Sequence, residues 1–194
     1  MKVIFLDFDG ALYGLHDFYD NGIRVSKSEF EKRLKRRIKI LGEICKENDA
    51  KIVIESSYKD CIDEETLETD VDWIKEILDL MKQNGIEVIG RTPNLEDFKD
   101  NYTGNPRIWK EDEILEYLKR HPEIDSYCVI DDDDLVTLPA SEKGDNSRSD
   151  LNKVRDHLLE TEYLNEEYPM KEALQEYHKE KVKLILQKKI NKSF

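Results

Sequence analysis

Four short apolar runs, separated by segments of helical periodicity, set the strongest limit on what this chain can fold into. Lys2-Val-Ile-Phe-Leu-Asp7, Lys51-Ile-Val-Ile-Glu55, Ile86-Glu-Val-Ile-Gly90 and Tyr127-Cys-Val-Ile130 each have the length and composition of a buried strand. Between the first two, Phe30, Leu34, Ile38, Leu41 and Cys45 recur every three or four residues, and Ser26 is placed to cap a helix reaching about Asn48. Val71, Ile74, Leu78 and Met81 form a second stripe that starts near Asp70, with Gly85 positioned to end it. Ile114, Leu115 and Leu118 mark a third helix from Trp109 to about Arg120, and two more helices are predicted at about 150–163 and 170–191. Strands alternating with helices require a parallel sheet with right-handed crossovers, so the fold class is α/β.

The 194 residues suffice for one such domain, and neither an internal repeat nor a domain-sized linker interrupts them. No run approaches the roughly 18 apolar residues that span a bilayer. Cys45, Cys61 and Cys128 are odd in number and widely spaced, which suits neither a disulfide framework nor a zinc site. The N-terminus enters a strand-like run at once, without a signal-peptide pattern, so a reducing cytoplasm is the expected setting. A net charge of −13 opposes broad, non-specific binding to nucleic acid. The lysine-rich final helix, with Lys179, Lys181, Lys183, Lys188, Lys189 and Lys192, reads as a solvated face. His16, His121, His157 and His178 have no ligand spacing and are expected at the surface.

Chemistry concentrates where the strands end. In open α/β sheets, ligands sit beyond the carboxyl ends of the strands. There the chain places Asp7-Phe-Asp-Gly10, Glu55-Ser-Ser57 and the run Asp131–Asp134. Carboxylates crowded together repel unless a cation lies between them. Asp7 and Asp132 offer the hard oxygens that magnesium takes. Asp9, two residues after Asp7, faces the same cleft along an extended strand end, and Gly10 lets the chain turn away. A calcium loop of the EF-hand kind is excluded, because a strand rather than a helix precedes Asp7.

These residues resemble a known family. Asp7-Phe-Asp-Gly-Ala-Leu12 after an apolar strand resembles the first signature of the haloacid dehalogenase (HAD) superfamily, and within it the HAD-type domain of Swiss Army knife RNA repair proteins. Ile52-Val-Ile-Glu-Ser-Ser-Tyr-Lys59, Gly90-Arg-Thr-Pro93, Lys110-Glu-Asp-Glu-Ile114 and Tyr127-Cys-Val-Ile-Asp-Asp-Asp133 follow in the order of that group's remaining elements. The likeness covers about residues 1–165. It implies a three-layer α/β/α, Rossmann-like HAD fold with a central parallel sheet and no large cap domain, followed by a helical extension over 166–194. It also implies roles. Asp7 is the nucleophile that forms an aspartyl-phosphate, and Asp9 is general acid and then base. Ser56 donates a hydrogen bond to the phosphoryl group, and Lys110 neutralises charge around Asp7. Asp131 and Asp132, with Asp7 and the Asp9 main-chain carbonyl, complete a Mg2+ site. By position, Ser57 and Arg107 are alternatives to Ser56 and Lys110. Glu55 departs from the group, where Ser is frequent, and Tyr58 and Lys59 replace Trp and Arg.

About 46 residues separate Asp9 from Ser56, and one long helix takes over 20 of them, too few to leave a cap domain. An open site suits a substrate that covers it: a nucleic-acid end, a bulky nucleotide or a phosphoprotein. The aromatic stretch Tyr13–Tyr19 is expected to form a small flap. The expected function is a Mg2+-dependent phosphohydrolase acting on an RNA or DNA end or a nucleotide phosphate. Two other readings stay open: a HAD-fold binding or regulatory module that is catalytically weak, and a phosphotransferase.

Overall fold

The computed structural model describes residues 1–20, 22–95, 110–132, 154–161 and 173–190. Its centre is a five-stranded, wholly parallel sheet in the order β5-β4-β1-β6-β7. The strands are β1 (Lys2–Leu6), β4 (Ala50–Ile54), β5 (Val88–Arg91), β6 (Ser126–Asp131) and β7 (Leu158–Glu160). A two-stranded antiparallel hairpin, β2 (Tyr19–Asp20) and β3 (Ile23–Arg24), lies apart from it. The helices are α1 (Leu15–Phe18), α2 (Lys27–Asn48), α3 (Asp72–Gln83), α4 (Lys110–Arg120) and α5 (His178–Ile185). No helix among the described residues is long and apolar enough to cross a membrane.

β1 is flanked on both edges and covered on both faces, which is why Val3 to Leu6 form an unbroken apolar run with no exposure. Alternation along the strand splits that run between two cores. Ile4 and Leu6 join Ile52, Ile54 and the apolar faces of α2, α3 and α5. Val3 and Phe5 join Val53, Val129 and the apolar face of α4. Helices on both faces of the sheet make the three-layer α/β/α, Rossmann-like arrangement. The chain winds from β1 to β4 to β5 in one direction and reaches β6 and β7 on the opposite side of β1. The switch point thus falls between β1 and β6, where doubly wound sheets open a crevice.

The helical boundaries follow local chemistry. The Ser26 hydroxyl accepts the Glu29 N–H at 3.2 Å and caps α2. Asp49 ends that helix in the left-handed region, and Gly85 turns left-handed just past α3. Among its described residues the insert between β1 and β4 holds α1, the hairpin and α2, and no cap domain.

Three expectations are corrected. Residues 158–160 are not helical. They pair with Val129–Asp131 as an edge strand, because the open side of β6 offers a ladder that a three-residue segment can fill. The last helix spans only His178–Ile185. Before it, Ala173 takes a positive φ and the Leu174 N–H donates to the Ala11 carbonyl; after it, the Ile190 N–H donates to the Asp125 carbonyl. His157 and His178 are buried, not at the surface. His157 stacks on Tyr127 with ring centroids 4.1 Å apart, and His178 Nδ1 accepts the Gln175 N–H at 3.0 Å.

One buried ion pair fastens the segment after β1 to the body of the protein. Arg37 on α2 pairs with Asp17 and donates to the Leu12 carbonyl at 3.2 Å, while the Gly14 N–H donates to Asp17 at 2.8 Å. Removing one partner of a buried pair strands the other charge. Arg37→Met is expected to lower the unfolding free energy by about 3 kcal/mol in urea titration. A loss below about 1 kcal/mol would show that Arg33, whose Nη1 stands 3.8 Å from Asp17, keeps the carboxylate paired without it.

Candidate active site

Sheet register builds the site. Leu6 pairs with Ile54 on one side and Ile130 on the other. One step further along these three strands come Asp7, Glu55 and Asp131, level with one another. Each continues the row of Phe5, Val53 and Val129, which faces α4. α4 begins at the carboxyl edge of the sheet, and its first residue is Lys110. The Lys110 Nζ therefore meets Asp7 Oδ2 at 2.6 Å, Asp131 Oδ2 at 2.8 Å and Glu55 Oε2 at 3.9 Å. Burial alone would lower the pKa of this ammonium, but the charges of Asp7, Asp131 and Glu55 raise it well above the usual lysine range.

Asp7 Oδ1 accepts the Phe8 N–H at 2.7 Å. Among the described residues, carboxylate oxygens of Asp7, Asp131 and Asp132 lie within 4.8 Å of one another. Gly10 makes room for this group. It has φ +67°, and a Cβ there would fall 1.9 Å from the Asp132 Cγ. Three clustered carboxylates supplying only oxygen, two of them buried, fit a hard divalent cation such as Mg2+. The Asp9 carboxylate stands outside that group, and its main-chain carbonyl accepts the Ala11 N–H at 2.7 Å.

Asp9 instead stands beside the phenols of Tyr58 and Tyr13, both of which favour its ionised form. Crowding desolvates its carboxylate and Asp7 adds a like charge. These raise its pKa against the opposing pull of both tyrosines and Lys110. A raised carboxyl is suited to holding a proton for transfer. Ser56 is buried at the end of β4, where its Oγ accepts the Tyr58 N–H at 3.5 Å and caps the 3₁₀ turn Ser57–Cys61. Ser57 is exposed. Arg107 lies outside the described residues.

Sequence reasoning missed a second buried lysine. Lys59 ion-pairs with Glu113 on α4, donates to the Thr92 hydroxyl at 3.1 Å and stands 3.6 Å from Glu55 Oε1. Glu55 thus sits between two lysines, fully buried, with no hydrogen bond to either oxygen. The sequence carried two signals for it: Lys59 stands where the resembling group has Arg, and it follows Glu55 at a spacing of four. Desolvation pushes the Glu55 carboxyl up to about 8; Lys110 and Lys59 oppose the rise, while Asp131 and Asp7 add to it.

The sign of the pH effect follows from that shift. The folded chain keeps the Glu55 proton up to about pH 8, whereas the unfolded chain releases it near the usual 4.5. Folding therefore takes up a proton in that window, and stability falls as pH rises through it. Glutamine has no such proton to lose. In EDTA, Glu55→Gln is expected to gain about 1–2 kcal/mol over the wild type between pH 6 and pH 9, or roughly 3–6 °C in Tm. A difference that stays flat with pH would show that Glu55 is ionised throughout.

Comparison with known proteins agrees with this geometry. The family described as the HAD domain in Swiss Army Knife RNA repair proteins matches residues 3–167. No curated protein and no solved structure matches the chain. The match takes in β1 with Asp7 and Asp9, β4 with Ser56, α4 with Lys110, and β6 with Asp131 and Asp132. The chain belongs to the family of HAD domains of Swiss Army Knife RNA repair proteins, and its function is accordingly of the HAD phosphohydrolase type.

Proposed function

We propose that this protein is a Mg2+-dependent phosphohydrolase that passes a phosphoryl group through Asp7, with a nucleic-acid end or nucleotide phosphate as substrate. The observation that carries the reading is Lys110 bridging Asp7 and Asp131 at 2.6 and 2.8 Å, with Asp132 beside them. Asp7, Asp131, Asp132 and the Asp9 carbonyl would hold the cation. Bound there, Mg2+ would offset the negative charge of the phosphoryl group and of the carboxylates around it.

The protein's own residues divide the remaining work. A carboxylate oxygen of Asp7 attacks phosphorus, and the bond from phosphorus to the leaving oxygen breaks. Asp9, beside Tyr13 and Tyr58, gives its proton to that oxygen. Asp9 then takes a proton from water, which attacks the phosphorus of the aspartyl-phosphate and frees Asp7. Lys110 offsets charge on Asp7 and the phosphoryl oxygens throughout. Ser56 accepts one hydrogen bond, which leaves its hydroxyl hydrogen for a phosphoryl oxygen. The family name, RNA repair, favours nucleic-acid ends as substrates. The three free cysteines suit the cytoplasm. The core shared by α2 and α5 suits a single unit that includes the C-terminal segment.

Glu55 favours a second reading, a binding module with little turnover, because it adds a carboxylate next to the phosphate position. Release of p-nitrophenol from p-nitrophenyl phosphate separates the two. Activity is expected with MgCl2 and not with EDTA. Asp7→Asn should lower it at least about 10³-fold, and Lys110→Met about 10²-fold. Gly10→Ala should abolish the Mg2+ response, because its Cβ would displace Asp132. Wild-type inactivity across a panel of phosphate esters, or full activity in Asp7→Asn, would overturn the phosphohydrolase reading.

A further inference from the structure

Asp9 opens onto a continuous set of aromatic rings. The two phenols beside its carboxylate are those of Tyr13 and Tyr58. Behind them, Tyr58 meets Trp73 edge-to-face at 4.7 Å, and Tyr13 meets Phe18 at 5.8 Å, Phe30 at 6.0 Å and Trp73 at 6.5 Å. Phe18 stacks on Phe30 at 5.0 Å. The outer rings remain open to solvent: Phe18 is 43% and Trp73 38% exposed. Rings left in water beside a site, when a core lies within reach, mark a surface that something else covers.

We propose that Phe18 and Trp73 stack on the nucleobase of the phosphorylated nucleotide, on the leaving-group side of the site. The proposal rests on the phosphohydrolase reading, in which the leaving oxygen takes its proton from Asp9. The leaving group must then depart across the Tyr13 and Tyr58 hydroxyls. An aryl phosphate would place its ring directly against those hydroxyls. Phe18 and Trp73 instead stand one ring further out, at 5.8 Å from Tyr13 and 4.7 Å from Tyr58, where a ribose would come between phosphate and base. Every base has a π face, so stacking alone grips a nucleotide without reading its sequence. Charge points the same way. A chain of net charge −13 gains little from a long polyanion, so what it gains beyond the phosphate site comes from an interaction that salt does not screen.

The test is calorimetric binding of adenosine 5′-monophosphate, ribose 5-phosphate and a phosphotyrosine peptide to the wild-type and Asp7→Asn proteins, with Mg2+. The nucleotide should bind about 10-fold or more tightly than ribose 5-phosphate, a ratio within reach of one stacked base. Raising salt should weaken both ligands together and leave the ratio unchanged. Trp73→Ala and Phe18→Ala should bring the ratio below about 3-fold, and Trp73→Phe should keep most of it; circular dichroism checks that each variant folds. Equal binding of nucleotide and ribose phosphate, a ratio that survives both alanine substitutions, or tighter binding of the peptide would overturn the proposal. A nucleotide preference in a protein that hydrolyses nothing would defeat the phosphohydrolase reading alone. Turnover of p-nitrophenyl phosphate without that preference would defeat the stacking proposal alone.

Discussion

The in-register pairing of three parallel strands is the constraint on which the rest depends. β1 pairs with β4 and β6 without a slip, so Asp7, Glu55 and Asp131 leave the sheet at one level. Strand alternation then turns all three toward α4. A one-residue slip in either ladder would turn a carboxylate toward the opposite layer. Three buried carboxylates at one sheet edge are costly unless cations lie among them. Lys110 at the start of α4 is one, and Lys59, anchored by Glu113 and Thr92, is another. Even with Glu55 protonated and Lys59 paired with Glu113, Asp7, Asp131 and Asp132 outnumber Lys110, which is the physical case for a divalent ion among them.

Much of this was legible in the sequence, for identifiable reasons. Strands buried on both faces write continuous apolar runs, so β1, β4 and β6 stand out, and with them the polar residues that end each one. α2 and α3 were legible because 22 and 12 residues give several repeats of an apolar stripe. β7 was not legible, since three residues carry no period and their strand state exists only by pairing with β6. The last helix was overread for a related reason: a lysine-rich pattern has helical character, but main-chain hydrogen bonds to Ala11 and Asp125 shape the segments on either side of α5.

Within the site, the backbone-determined positions were readable and the tertiary ones were not. Asp7, Asp9, Asp131 and Asp132 follow strands directly. Lys59 and Glu113 look like ordinary charges in sequence, and only the packing of α4 against the turn after β4 makes them a buried pair. Tyr13 and Tyr58, from two segments far apart in the chain, come together beside Asp9, the proposed acid. The site thus has two sides of different character: an ionic side built by the sheet and α4, and an aromatic side built by α1, α2 and α3.

The central claim is that Asp7 itself carries the phosphoryl group. Acid quenching during turnover with Mg2+, followed by mass spectrometry of the peptide that contains Asp7, tests it most directly. The account predicts a phosphoryl group on Asp7 that hydroxylamine removes, as an acyl phosphate requires. A protein that turns over substrate while Asp7 stays unmodified at every quench time, or that carries the phosphoryl group on another residue, would contradict it.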